Sequence, residues 1–235
     1  MFGFIGAAIG AVVSTAVGVV SSIAATVGSA VASVARSLIS IAPRMEELDL
    51  ISKIITAIGR ILGILPPEEN VDDIGAKTMQ EGTRPRMPEE TAEEYLDYLR
   101  NEVELDKEKL AKMSEAEKMA CLATGSAIVM EAAAEKSDVV LTPTYVVNAS
   151  RAGLEAAAVL AIAHKFKENN IDIDKFGAFF NNELSGKDVS VVYQSLKDGV
   201  GNIHPEMSDK EIRAEINKME QGILEHNSNG IRENS

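Results

Sequence analysis

The chain of 235 residues contains no tryptophan, only one cysteine and only three histidines. A single thiol, Cys121, excludes an internal disulfide framework and any zinc site built on several cysteines. It lies within the apolar stretch MACLATGSAIVM and reads as a packing residue. His164, His204 and His226 are far apart in sequence and stand beside no second ligand at metal-binding spacing. His164 has Glu168 one turn further on, the spacing of a surface helix pair. There is no HExxH, no glycine-rich phosphate loop following a strand and no nucleophile elbow. The expectation is therefore a non-enzymatic protein without catalytic residues, cofactor or metal site.

Basic charge is also in short supply. Lys and Arg number 23 against 36 Asp and Glu, a formal net charge of −13. Such a surface repels phosphate and makes nucleic acid an unlikely ligand class. The charge is unevenly spread: residues 1–65 carry four basic and three acidic side chains, and the other 170 carry nineteen and thirty-three. A nearly neutral head thus precedes a strongly acidic body. Residues 2–35 have no charge at all.

What fills that uncharged head is unusual for a membrane span. Thirteen of its thirty-four residues are Phe, Ile or Val, and the other twenty-one are Gly, Ala, Ser or Thr. Such a composition makes insertion of one copy marginal. The pattern predicts one helix from near Phe4 to Ile41, ending before Pro43. A helical span of residues 2–35 would be roughly 51 Å long, against about 30 Å of hydrocarbon in a bilayer. Small residues recur every fourth position, at Gly6, Gly10, Ser14, Gly18, Ser22, Thr26 and Ala30. Such a file lets a neighbouring backbone approach closely, so these seven are the candidate helix-packing residues.

A second helix is expected within ELDLISKIITAIGRILGILPP. Leu50, Ile51, Ile54, Ile55, Ile58, Ile61, Leu62 and Leu65 recur at helical spacing, and Lys53 and Arg60 mark a narrow basic face. This pattern suits an interfacial membrane helix, with burial against the acidic body as the alternative.

Residues 66–90 hold four of the seven prolines and show no apolar periodicity, so they read as a linker. The body, 91–226, is expected to be a compact acidic helical domain. Capping signatures at Thr91/Glu94, Ser114/Glu117 and Ser208/Glu211, and Thr142-Pro143, mark helix starts. They predict helices near 92–112, 115–136, 143–168, 175–184, 187–198 and 209–226, with the Ala-rich second and third at the centre. Asp174 is a candidate cap and Gly199 a candidate stop. The run DVVLTPTYVV has strand-like composition but no partner, and residues 227–235 read as a disordered tail. The acidic run beginning at Glu89 reads as a solvated helix face rather than as paired catalytic carboxylates. The fold class is all-α.

Three functions fit. In the first, the N-terminal helices of a membrane-interacting, self-assembling protein insert into or line a bilayer pore, as in delivery, ejection or pore-forming proteins. Its partners would be the lipid bilayer and further copies of the chain. In general composition this arrangement is similar to the Ala/Gly-rich ejection proteins packaged in phage virions. In the second, the chain is a structural subunit of a virion, tube or sheath, and its apolar helix packs against other protein subunits. In the third, it is a membrane-anchored adaptor whose acidic body recruits a partner. The corresponding location is at a membrane, or inside a particle before insertion.

Overall fold

The computed structural model describes the backbone of residues 2–233 and the side chains of residues 8–226 and Ser228. Among the described residues there are thirteen helices and no strand, so the protein is all-α. They fall into two compact units that divide after Asp138.

The first unit contains α1 (Phe2–Ser22), α2 (Ala24–Val27), α3 (Ser29–Ile41), α4 (Met45–Ile61), α5 (Val71–Thr78), α6 (Ala92–Glu102), α7 (Lys107–Lys112) and α8 (Glu115–Ser137). Its centre is α8, which is buried from Met119 to Met130 on every side. A helix apolar all round must be covered all round, and α3, α4, α5 and α6 pack on it. That requirement explains why the boundary does not fall at a linker. The expected linker, 66–90, instead contains α5, whose Val71, Ile74, Gly75, Ala76 and Thr78 are buried. The expected body, 91–226, is shared between the two units.

Glycine decides how α5 and α8 meet. A Cβ on Gly125 would lie 1.7 Å from the Val71 carbonyl oxygen, and one on Gly75 would lie 1.9 Å from that of Cys121. The two backbones touch where the side chains vanish.

The rest of 66–90 is held by charge rather than by apolar periodicity. Arg84 makes a bidentate pair with Glu90, at 2.6 and 2.9 Å, and its guanidinium lies 4.0 Å from the ring centroid of Tyr98. Arg86 donates to Glu131 at 2.7 Å and to the Glu90 carbonyl, while its backbone N–H donates to the Thr26 carbonyl at 2.7 Å. Arg100 reaches back to Glu69 at 2.9 Å.

The Arg84 hydrogen bonds, aided by the Met87 N–H, hold the Glu90 carboxyl below the usual carboxylate range. A depressed folded-state pKa contributes stability above the unfolded value, which is lost as pH falls through the folded one. Glu90→Gln is therefore expected to destabilise the protein at neutral pH and to flatten its acid dependence. Urea midpoints followed from neutral pH downward check this, with the gap between wild type and variant narrowing as pH falls through the depressed folded-state value.

The predicted N-terminal helix is interrupted. Gly28 has φ +91°, in the left-handed region that a helix cannot use, and it separates α2 from α3. Beyond it Val31, Ala32, Ala35, Leu38 and Ile39 enter the core of the unit. α1 itself stops earlier, at the turn on Ile23, and is about 31 Å long rather than 51 Å.

The second unit contains α9 (Pro143–Arg151), α10 (Ala156–Glu168), α11 (Lys175–Phe180), α12 (Lys187–Ile203) and α13 (Asp209–Glu233). The helix predicted over 143–168 is split because Gly153, at φ +72°, closes α9 with the Leu154 N–H bonded to the Ala149 carbonyl. Likewise 92–112 is split at Val103, and Asp106 caps α7 by accepting from the Lys109 N–H. Gly199 does not end a helix. It lies inside α12, where a Cβ would come within 2.8 Å of the Ile162 side chain, so it permits α12 to close on α10. Asp174 precedes α11 without capping it, and its carboxylate accepts from the Thr142 hydroxyl instead. Residues expected to be a disordered tail continue α13 as far as Glu233, and the last two lie outside the described residues. The strand-like run belongs to a turn and the start of α9.

Candidate helix-packing and membrane surface

α1 is sparsely covered. Among the described residues no other helix shares an extensive packing surface with it, Arg36 of α3 reaches the Ser21 hydroxyl at 3.5 Å, and only Ala16 and Val20 are fully buried. At 100° per residue these two point away from Ser14 and Gly18. Of the predicted small-residue file, Gly10, Ser14, Gly18, Ser22 and Ala30 are exposed and Thr26 is half-buried. Gly6 lies outside the residues whose side-chain environment is described. The turn at Ile23 places Thr26 on α2 and the break at Gly28 places Ala30 on α3, so the continuous part of the file is confined to α1.

The glycines differ in a way that sequence does not reveal. An added Cβ would clash at Gly59, Gly75, Gly125, Gly199 and Gly222, where another part of the chain lies close. At Gly10 and Gly18 it would meet nothing within 4 Å. A glycine inside a helix costs about 1 kcal/mol relative to alanine. Packing within the chain explains the first group and not the second.

Three hydroxyls of α1 bond back to its own carbonyls, and Ser21 also accepts from the Arg36 guanidinium of α3 at 3.5 Å. Thr15 donates to the Ala11 carbonyl at 2.9 Å, Ser21 to Val17 at 2.8 Å and Ser22 to Val19 at 2.7 Å. Such back-bonding lets a polar residue sit on a helix face that meets an apolar medium or another helix.

The second predicted surface is corrected. Ile51, Ile55 and Ile58 on α4, and Leu65 beyond it, are at most 4% exposed. They form core against α8 and its neighbours, not an interfacial face. Leu50 and Ile61 are exposed, at 55% and 56%, and Ile54 and Leu62 are half-buried. Lys53 is paired with Asp49 at 2.6 Å, and Arg60 donates to the Glu69 carbonyl and to Asn70. The reason lies in α8, which is buried all round from Met119 to Met130 and is covered in part by α4. α4 stops at Gly63, φ +66°, where the Ile64 N–H bonds the Gly59 carbonyl, rather than at Pro66.

Among the described residues no group of three His, Cys, Asp or Glu side chains is placed to hold a metal ion, and the three histidines are not brought together. Among them, too, no helix is long and apolar enough to cross a membrane. No protein-family model, curated protein or solved structure matches the chain.

Proposed function

We propose that the chain is a non-enzymatic, membrane-interacting, self-assembling protein in which α1 is the working element and the folded remainder is its scaffold. Copies of α1 pack through Gly10, Ser14, Gly18 and Ser22, at or within a bilayer. The observation that carries this reading is the pair of mid-helix glycines, Gly10 and Gly18, at which an added Cβ would meet nothing within 4 Å among the described residues. Helices that associate in lipid rely on such small residues for close backbone approach. The uncharged α1 is about 31 Å long against a hydrocarbon core of about 30 Å, and since no helix among the described residues is long and apolar enough to cross a membrane, packing between copies is what would bring it into the bilayer. α3 and α4 belong to the scaffold, which narrows the inserting part to the first twenty-two residues.

A second reading, a structural assembly subunit with α1 packed in a protein shell, is favoured by the absence of a spanning helix among the described residues. It uses the same small file and replaces lipid with other subunits.

The test compares the full chain with a Gly10→Leu, Gly18→Leu, Ser22→Leu variant. Sedimentation velocity, liposome flotation and dye leakage are measured for both. The expected result is that the wild type oligomerises, floats and releases dye, while the variant is monomeric and leaks roughly tenfold less dye, the loss expected when about 1.4 kcal/mol of association energy is removed. Assembly without flotation or leakage supports the protein-shell reading and rejects the membrane one. An oligomer of unchanged size in the variant removes the small file as a packing surface under either reading.

A further inference from the structure

The only thiol of the chain is not packed among carbons alone. Cys121 Sγ lies 3.6 Å from Met79 Sδ and 3.6 Å from Met113 Sδ. These sulfurs come from three elements: Met79 ends α5, Met113 ends α7 and Cys121 stands in the second turn of α8. Two thioethers converging on one thiol is a more specific arrangement than a buried cysteine with ordinary neighbours.

We propose that Cys121, Met79 and Met113 bind a soft monovalent metal ion of the Cu(I) or Ag(I) class. Thiolate and thioether ligands select Cu(I), whereas hard cations prefer oxygen donors. A three-coordinate ion with metal–sulfur bonds of about 2.3 Å, the length found for zinc–thiolate, sets its sulfurs about 4 Å apart. Each of the two Cys–Met separations, 3.6 Å, needs to open by only a few tenths of an ångström to match that spacing.

On binding, the S–H bond breaks, the proton leaves to solvent and a sulfur–metal bond forms, with no change in oxidation state.

The ligands also differ in freedom. Cys121 is 1% exposed, and its backbone is fixed by the close approach of Gly75. Met79 and Met113 are half-buried, and α7, which leads into Met113, has no buried residue. A fixed thiol behind two movable thioethers provides both a preset ligand and a way in.

The experiment uses the full chain. Cu(I) is titrated anaerobically against a coloured Cu(I) chelator, and Ag(I) occupancy is read by native mass spectrometry. One ion per chain is expected, with Zn(II) not retained under the same conditions. Cys121→Ala should abolish binding. Met79→Leu and Met113→Leu, which conserve volume, should each weaken it by about tenfold or more, the scale at which even outer-shell changes weaken a metal site. Circular dichroism confirms the fold of each variant. The proposal is overturned if the wild type loses the ion to the chelator, if it retains Zn(II) equally, or if the double Met→Leu variant binds as tightly as the wild type.

Discussion

Replacing Gly125 with alanine is expected to unfold residues 3–138 or to lower their stability by about 4 kcal/mol or more. The new methyl group would stand 1.7 Å from the Val71 carbonyl oxygen, with the Val71 carbonyl carbon at 2.7 Å and the Gly75 nitrogen at 3.0 Å. All three obstacles are backbone, so no rotamer change relieves the clash. α5 would have to move away from α8 as a body. That movement opens the contact made from the other side by Gly75 and Cys121, and uncovers Val71 and Ile74, each 1% exposed. Overpacking in a core usually costs about 1–3 kcal/mol because side chains can yield; here they cannot. Urea denaturation followed by far-UV circular dichroism measures the loss. Gly18→Ala is the control: nothing lies within 4 Å of its Cβ, so alanine should raise monomer stability by about 1 kcal/mol through helix propensity. Equal stability of Gly125→Ala and wild type would mean that α5 does not pack on α8 in solution.

Phe176→Ala is expected to cost about 3–5 kcal/mol, with its effect in residues 139–233. Phe176 is fully buried and links two other rings edge-on, Tyr145 at 5.2 Å and Phe180 at 5.1 Å between centroids. Its removal leaves a cavity that cannot collapse easily. Tyr145 is anchored, since its hydroxyl donates to the Val159 carbonyl at 2.7 Å, and Gly177 lies directly against the Asn148 side chain. Edge-to-face ring pairs add about 0.5–1.5 kcal/mol beyond the area they bury, and both pairs are lost at once. Hydrogen exchange resolved by mass spectrometry should quicken through α9 to α12. Phe176→Leu, which fills most of the space, should recover the greater part of the loss. If Ala and Leu variants exchange alike, packing volume at this position is not what holds the helices together.

Several helix starts were legible because their chemistry closes within four residues. Thr91 with Glu94 and Ser114 with Glu117 form reciprocal capping boxes, Ser208 and Glu211 exchange the same bonds, and Thr142 caps α9 with proline behind it. Each pattern satisfies its own backbone donors and needs nothing distant. The stops were less legible. Gly28, Gly63 and Gly153 end or interrupt helices by positive φ, whereas Gly199, the expected stop, lies inside one. A glycine permits a turn without requiring it, so the letter alone does not say which use the fold makes.

The same limit governs the candidate surfaces. Residues 66–90 lacked apolar periodicity because α5 is short and because Arg84, Arg86 and Arg100 hold the segment through carboxylates distributed from Glu69 to Glu131. Partners so far apart leave no periodic signal. The sequence by itself determined that the protein is helical, where several helices begin, and that one face near Gly10 is small and another near Ile55 is apolar. Only the tertiary structure decided what covers them. Ile51, Ile55 and Ile58 are enclosed because α8 is buried all round from Met119 to Met130 and α4 packs on it, whereas Gly10, Ser14 and Gly18 face outward because, among the described residues, only the opposite side of α1, at Ala16 and Val20, is buried. Periodicity reports that a face exists, and the three-dimensional packing of distant segments sets what meets it.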